Sequence, residues 1–296
     1  MLARKVAEQA ADNDYSIIGL DLPDFDLTNR TQVLAEMERV QPAVIVNCAA
    51  YTNVDGAESE VELATRVNGL GPGYLAEAAQ TVGAVLVHIS TDYVFDGRKD
   101  SPYLETDPVG PLSAYGRSKL AGEQAILASG LGRYFIIRTS WLYGPGGKNF
   151  VETIMRLARE REELRVVADQ VGSPTYTGDL AEAIFRLLAL NFSPQPPSPS
   201  FYGFYHFANS GQCSWYEFAA EIVAQLQGRG EMVKVERVVP ITTAEYPLPA
   251  PRPAYSVFSK DKYLSSTGAD IPAWQASLFR YLGERLPGDA SRLTPH

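Results

Sequence analysis

The chain has 296 residues, of which 45% are hydrophobic and 21% are charged, and its formal net charge is −9 at pH 7. This length is sufficient for two lobes that share a cleft, and the acidic balance argues against a surface for nucleic acid or an anionic membrane. Cys48 and Cys213 lie far apart in the sequence, which is typical of free thiols in a reducing cytosol. No apolar run reaches the ~18–20 residues of a membrane-spanning helix, so we expect a cytoplasmic protein.

The beginning of the chain predicts a helix over residues 1–10, where apolar residues recur at helical spacing. Residues 15–21 predict a strand, and the acidic stretch that follows leads into a helix capped by Thr28 or Asn29. A doubly wound α/β fold requires a strand and a Gly-rich turn before its first helix. Neither precedes residues 1–10 in this sequence, so we expect that the chain lacks an N-terminal strand and turn.

Three further apolar runs predict buried parallel strands, at residues 43–50, 84–89 and 134–139. Between the first two runs, a long helix is expected around residues 62–82. In an open α/β sheet, ligands lie beyond the carboxyl ends of the strands. Thr91 follows the second run at such a position, so it is a candidate for the chemistry of the protein.

Tyr115 and Lys119 lie four residues apart in a predicted helix that opens at residues 111–119, so they share one face of that helix. An isolated pair of this kind is usually ordinary surface, but here a buried strand that ends in Ser-Thr-Asp precedes it. A phenol has an unperturbed pKa of about 10, and an ammonium one turn away is expected to lower that pKa toward neutrality. If the Thr91 hydroxyl holds a substrate oxygen, the three groups suit protonation of a ketone oxygen while hydride reaches the carbon.

The second half of the chain changes character at Gly144–Gly147, a predicted hinge. Its other predicted elements are a helix that opens at Asn149, a helix over residues 179–190, a Pro/Ser-rich surface loop at 193–200, a strand at 205–209, a helix with a capping box at Ser214 and Glu217, and a helix over 272–286. The histidines His88, His206 and His296 are isolated and more typical of caps or packing than of metal ligands, so no metal site is predicted.

Three segments carry a resemblance to a known family: Ser90 to Phe95, Tyr115 to Glu123 and Arg138 to Gly144. They resemble extended short-chain dehydrogenase/reductases, and within that superfamily the dTDP-4-dehydrorhamnose reductase family. The similarity extends from about the first predicted helix to the last. It implies an α/β fold with a doubly wound, Rossmann-like parallel sheet and a smaller, discontinuous α/β substrate lobe.

The resemblance also implies a division into domains. The dinucleotide-binding domain would comprise residues 1–145 and 177–209, and the nucleotide-sugar lobe would comprise residues 146–176 and 210–296. The implied reaction is reduction of the C4 ketone of dTDP-4-dehydro-L-rhamnose to dTDP-L-rhamnose, with NADPH as the cofactor and NADH as the alternative.

Site residues follow from the same resemblance. The catalytic residues would be Tyr115 as proton donor, Lys119 to lower its pKa and hold the nicotinamide ribose, and Thr91 to position the carbonyl. The cofactor would contact Asp26, Leu27, Ala49, Ala50, Tyr51, Tyr115 and Lys119. The nucleotide sugar would contact Thr52, Val54, Thr91, Asp92, Tyr93, Trp141 and Arg252.

Several of these residues also have a purely structural interpretation. Ala49 and Ala50 could serve helix–sheet packing, Trp141 could fill the interface between the lobes, and Arg252 could be an ordinary surface arginine. If Arg252 does contact the diphosphate, it would do so because a guanidinium forks onto phosphate oxygens.

Two other functions stay open on the sequence. One is a nucleotide-sugar epimerase or dehydratase of the same superfamily, although Tyr93 stands where dehydratases of this group carry a second acid. The other is a non-catalytic binding protein similar to the regulatory subunit of methionine adenosyltransferase, against which the full set of Thr91, Tyr115 and Lys119 argues. A homodimer is compatible with the resemblance, but Glu284 and Asp289 form no persuasive metal cluster at its interface.

Overall fold

A computed structural model of the chain describes residues 1–194 and 198–286. Its helices are α1 (Leu2–Ala10), α2 (Arg30–Val40), α3 (Val61–Thr65), α4 (Gly71–Val82), α5 (Ala114–Ala128), α6 (Phe150–Glu160), α7 (Thr177–Asn191), α8 (Trp215–Gly228), α9 (Asp261–Thr267) and α10 (Trp274–Arg285). Its strands are β1 (Val44–Asn47), β2 (Val85–Thr91), β3 (Tyr134–Thr139), β4 (Leu142–Tyr143), β5 (Glu163–Val167), β6 (Val171–Gly172), β7 (Thr175–Tyr176), β8 (Gly203–His206), β9 (Cys213–Ser214) and β10 (Arg237–Ile241).

The main sheet is parallel throughout, with the strand order β1-β2-β3-β8. Its strands are short, apolar and joined by helices, as expected for a sheet that is buried on both faces. The predicted strands at residues 43–50, 84–89 and 134–139 are confirmed as β1, β2 and β3. Thr91 pairs with Thr139 in the register of β2 and β3, so both lie at the carboxyl edge of the sheet.

Helices cover both faces of this sheet, and each face has its own apolar core. On one face, α1 and α7 pack against Val85, Val87 and Phe135. On the other face, α2 and α4 pack against Leu86 and Ile136. The protein is therefore a doubly wound, Rossmann-like α/β structure, as predicted.

The predicted strand at residues 15–21 is wrong. The segment forms no strand, and its side chains Ile17, Ile18 and Leu20 are exposed by 45%, 59% and 36%. A strand exists only where a neighbour completes its hydrogen bonds, so β-branched composition alone does not create one. Among the described residues no strand pairs with this segment, and the main sheet ends at β1.

The predicted helix around residues 62–82 is interrupted by one wide turn, a π turn at Arg66–Leu70 between α3 and α4. Pro72 has no N–H to donate to the carbonyl of Asn68, so the regular helical pattern cannot continue there. Asn68 is almost completely buried, and its side chain accepts from Tyr51 N and donates to the Ser118 hydroxyl. Such wide turns often occur at functional sites.

A third apolar core lies outside the main sheet and is built from α6, α8, α10 and neighbouring short strands. The predicted helix starts are confirmed: Asn149 caps α6 by accepting from Glu152 N, and Ser214 forms a capping box with Glu217 at α8. The 179–190 and 272–286 helices are confirmed as α7 and α10, and the 205–209 strand corresponds to β8.

Some sequence predictions fall partly or wholly outside the described residues. These are positions 195–197 of the 193–200 loop, together with Asp289 and His296. Within residues 1–194 and 198–286, no helix combines the length and apolarity needed to cross a bilayer. The same residues contain no group of three or more His, Cys, Asp or Glu side chains that could hold a metal ion.

Candidate active site

Helix α5 carries two of the candidate residues, and its N-terminus is fixed from two directions. Ser113 caps it by accepting a hydrogen bond from Gly116 N at 3.1 Å. Glu58 accepts from Ala114 N at 2.7 Å, which places a carboxylate at the positive end of the helix dipole. The N-terminal turn of α5, which contains Tyr115, is thereby held in one position.

Gly116 explains how α5 approaches the end of β2 so closely. A Cβ at this position would lie 2.3 Å from the carbonyl oxygen of Tyr93, a contact that real side chains do not make. The glycine therefore lets the helix backbone press against the 3₁₀ turn Asp92–Val94 that follows β2. This contact brings the Tyr115 side chain to Thr91.

Tyr115 lies near Thr91 at the carboxyl edge of the sheet. Burial raises the pKa of the Tyr115 phenol to about 12, while the polar Thr91 side chain lowers it and the nearby Asp92 raises it. Tyr93 packs edge-on against Tyr115, with ring centroids 5.4 Å apart. At neutral pH the phenol therefore keeps its proton.

Lys119 lies one helical turn from Tyr115 and its side chain is almost fully buried, with 2% exposed. Its ammonium donates to the carbonyl oxygen of Ile89 on β2 at 2.6 Å. Burial lowers the pKa of Lys119 from 10.5 to about 8, and the carboxylate of Glu123 partly offsets this by raising it. At pH 7 the group is still mainly a cation.

The expected lowering of the Tyr115 pKa by Lys119 is wrong for this structure. The ammonium is directed to a backbone carbonyl, and it is not among the groups that shift the phenol. Desolvation has the largest influence on the pKa of each group. Tyr115 is thus a well-protonated phenol, which suits a proton donor.

Asp92 is a buried carboxyl beside this pair. Its Oδ1 accepts the Thr91 hydroxyl hydrogen at 2.9 Å, while its Oδ2 has no hydrogen-bond partner among the described residues. Burial raises the pKa of Asp92 to about 6, although Ser256 and Thr91 lower it. The carboxyl therefore holds the Thr91 side chain in a defined orientation.

Five of the seven residues predicted to hold the cofactor lie just after β1 or on α5. Ala49 is exposed and Ala50 half-buried, and the backbone of Tyr51 is clamped by Asn68, which accepts from Tyr51 N at 2.8 Å and donates to Tyr51 O at 3.0 Å. An open, rigid backbone with small side chains beside the buried cation of Lys119 fits the nicotinamide half of a dinucleotide.

Asp26 and Leu27 lie apart from these residues, before α2. One carboxylate oxygen of Asp26 accepts from both the backbone N and the hydroxyl of Thr28, at 2.8 Å each. Leu27 is buried in the core against Gly71, so only its backbone is available to a ligand.

Three of the residues predicted to bind the sugar lie together near Tyr115. Tyr93 contacts Tyr115 directly, Asp92 is hydrogen-bonded to Thr91, and the guanidinium of Arg252 is a close electrostatic neighbour of Tyr93. Thr52 is exposed and Val54 half-buried in the loop after β1. Arg252 is only 15% exposed and is ion-paired, so it is not an ordinary surface arginine.

Trp141 has an unusual environment. Its backbone adopts the left-handed conformation with φ 48°, which is a rare and strained state for a large side chain. Its ring stacks on Trp215 with centroids 3.5 Å apart, and a Cβ on Gly172 would lie 2.6 Å from the ring. Two sides of the indole are therefore already packed, which leaves only the remainder of the ring to a ligand.

Sequence reasoning missed a buried ion pair that joins α5 to the sheet. Glu123, one turn after Lys119, accepts from Arg138 Nε at 2.9 Å and Nη2 at 2.8 Å, and from the Ser90 hydroxyl at 2.5 Å. It therefore fixes α5 against β2 and β3 next to Thr91. Asp55, which pairs with Arg252, was also missed. For the Glu123–Arg138 pair, the sequence signal was the presence of a Glu and an Arg within apolar segments. The Asp55–Arg252 pair had no signal in the sequence.

Comparisons with known proteins extend over nearly the whole chain. The family model described as the RmlD substrate binding domain matches residues 1–286. The chain is 42% identical over 284 residues to the spore coat polysaccharide biosynthesis protein SpsK of Bacillus subtilis, covering 96% of this chain and 94% of that protein. It is 44% identical over 262 residues to the dTDP-4-dehydrorhamnose reductase of Burkholderia thailandensis, covering 88% of this chain and 87% of that protein.

A solved structure agrees with the sequence comparison. The dTDP-4-dehydrorhamnose reductase of Bacillus anthracis, in complex with NADP, superposes with a TM-score of 0.87 at 42% identity. The match covers 96% of this chain and 95% of that one. The two chains thus share one fold over almost their full described lengths.

Proposed function

This chain belongs to the RmlD substrate binding domain family, and on that premise we propose that it reduces the C4 ketone of dTDP-4-dehydro-L-rhamnose to dTDP-L-rhamnose with NADPH. The observation that carries this proposal is the meeting of Thr91, Tyr115 and Lys119 at the carboxyl edge of the sheet. A half-buried phenol that keeps its proton at pH 7 is the group that a ketone reduction needs.

NADPH, when bound, supplies the hydride that forms the new C–H bond at C4. The residues of this chain supply the proton and position the ketone. Tyr115 gives its proton to the ketone oxygen, so that the carbonyl becomes an alcohol. The Thr91 hydroxyl, which donates to Asp92 Oδ1 without substrate, turns its one hydrogen to that oxygen and holds it beside the phenol. Lys119, whose ammonium donates to the carbonyl oxygen of Ile89, would hold the nicotinamide ribose.

The remaining cofactor and sugar contacts are part of the same proposal. Asp26, Leu27, Ala49, Ala50 and Tyr51 would line the cofactor, and the open end of β1 supports this. The sugar contacts would be Thr52, Val54, Asp92, Tyr93, Trp141 and Arg252. The grouping of Asp92, Tyr93 and Arg252 around Tyr115 supports this second set.

The experiment that tests the function is NADPH oxidation with dTDP-4-dehydro-L-rhamnose, followed by identification of the sugar product. We expect oxidation that depends on the sugar and yields dTDP-L-rhamnose in equal amount. An epimerase would convert the sugar with no net consumption of NADPH, and a binding subunit would leave both compounds unchanged. Either result would reject the reductase assignment.

We also propose the division into a cofactor domain at residues 1–145 and 177–209 and a sugar lobe at 146–176 and 210–296. The core around α6, α8 and α10, which is separate from the two cores on the faces of the main sheet, supports it. A cytoplasmic location is proposed because NADPH and nucleotide sugars are consumed there. A homodimer is proposed on the family resemblance alone, and sedimentation of the purified protein tests it.

A further inference from the structure

One ion pair ties the loop after β1 to a loop that lies 197 residues later in the chain. Both oxygens of Asp55 accept from Arg252: Oδ1 from Nη1 at 2.7 Å and Oδ2 from Nη2 at 2.8 Å. Oδ1 also accepts from the backbone N of Ala250 at 3.1 Å. Asp55 therefore holds both the side chain and the backbone of the 250–252 loop.

Both side chains of this pair are partly buried, and Arg252 is the more buried of the two. The side chain of Arg252 is 15% exposed and that of Asp55 is 34% exposed. The guanidinium of Arg252 lowers the pKa of Asp55, although the partial burial of Asp55 acts to raise that pKa. Two parallel hydrogen bonds between charged groups fix the plane of the guanidinium as well as its position.

The guanidinium has a second side that Asp55 does not use. Asp55 takes one N–H from each terminal nitrogen, and the second N–H of Nη1 is donated to the carbonyl of Ala250. The Nε–H and the second Nη2–H remain, and they form the other fork of an arginine. Tyr93, which packs on Tyr115, is an electrostatic neighbour of the guanidinium, so this side of Arg252 belongs to the same region as Tyr115.

We propose that Asp55 is a positioning residue, which holds Arg252 so that its second fork binds the diphosphate of the nucleotide substrate. This inference rests on the proposed function, because it takes a nucleoside diphosphate sugar as the substrate. Asp55 itself would not touch the phosphate, since two carboxylate oxygens beside a phosphate would repel it. Its effect on the substrate passes entirely through Arg252.

A double-mutant cycle separates this role from a general structural one. We expect Asp55→Asn to raise KM for the dTDP-sugar on the order of 10-fold, as for loss of a hydrogen bond to a charged group, with kcat and NADPH affinity nearly unchanged. In the Arg252→Ala background, Asp55→Asn should have no further effect on KM. If it raises KM equally in both backgrounds, the proposal is overturned.

A matched control comes from a second pair that joins distant parts of the chain. Glu231 binds Arg159 at 2.8 Å with an exposed fraction of 33%, close to that of Asp55, but it lies between α6 and the end of α8. Glu231→Gln should leave KM unchanged. A similar rise in KM from this variant would show that loss of any such ion pair is sufficient, and the proposal would fail.

Direct binding distinguishes this proposal from the reductase assignment. Calorimetric titration with dTDP and with thymidine, which has no phosphate, needs no turnover. We expect Asp55→Asn and Arg252→Ala to weaken dTDP binding and to leave thymidine binding unchanged. If the wild type fails to reduce the sugar but shows this pattern, only the reductase assignment falls. If the wild type binds dTDP no better than thymidine, or if both variants bind dTDP normally, the positioning role is rejected.

Discussion

Lys119 allows a quantitative prediction about stability, because the burial of its positive charge makes folding less favourable. Burial lowers its pKa from 10.5 to about 8, a difference of about 2.5. At 1.36 kcal/mol for each pKa unit, folding at pH 7 loses roughly 3 kcal/mol to this one charge. Replacement by methionine removes that cost. It also removes the hydrogen bond to Ile89 O, which contributes about 1–2 kcal/mol.

We therefore expect Lys119→Met to be more stable than the wild type by about 1–2 kcal/mol at pH 7, and inactive as a reductase. The sign of the pH dependence follows from proton binding. Between pH 8 and 10.5 the folded wild type releases the Lys119 proton while the unfolded chain keeps it, so wild-type stability rises with pH. The advantage of the variant should shrink by about 2 kcal/mol between pH 7 and pH 9.5.

Urea unfolding of both proteins at these two pH values measures the effect, with turnover measured on the same samples. Lys234→Met is the matched control, because Lys234 is 55% exposed and its charge is not buried. Its free energy of unfolding should differ from the wild type by the same amount at both pH values. A Lys119→Met protein that is less stable than the wild type at pH 7, or whose advantage does not change with pH, would refute the reasoning.

Three further variants test the geometry of the site. Tyr115→Phe should reduce turnover by ~10²–10⁴-fold while dTDP binding is retained, and near-normal turnover would show that the proton comes from elsewhere. Gly116→Ala should lower both turnover and melting temperature, because its Cβ would lie 2.3 Å from Tyr93 O, whereas Gly132→Ala, with nothing within 4 Å, should be neutral. Equal effects of the two alanines would contradict the close-packing argument. Trp141→Ala should raise KM for the sugar, and a loss confined to thermal stability would instead make Trp141 a packing residue.

Strands, helix caps and helix faces were predicted correctly from the sequence where the local pattern agrees with the environment in the folded protein. The run that ends at Thr91 is a strand buried on both faces, so its uninterrupted apolar character is a sufficient signal. The capping box at Ser214 and the cap at Asn149 are local hydrogen bonds that need no knowledge of the fold. The helical spacing of Tyr115 and Lys119 likewise fixed their common face.

Prediction failed where the outcome depends on a neighbour distant in sequence. Residues 15–21 have the composition of a strand, but pairing is a property of two segments, and none pairs with this one among the described residues. The wide turn at Asn68 depends on Pro72 and on contacts with Tyr51 and α5. The pairing of Asp55 with Arg252 depends on how a loop 197 residues later folds back onto the site.

The electrostatics of the site were the hardest property to predict, because they depend on burial rather than on spacing. The four-residue spacing of Tyr115 and Lys119 suggested that the ammonium would lower the pKa of the phenol. Burial instead raises the pKa of Tyr115 to about 12 and lowers that of Lys119 to about 8. The same enclosure raises the pKa of Asp92 to about 6. Each shift favours the neutral form, as expected of a site with little water. At pH 7 the phenol is nevertheless protonated and the amine is still mainly a cation. The phenol therefore still has the proton that reduction of a ketone requires, and the positive charge of Lys119 is held at the carbonyl of Ile89.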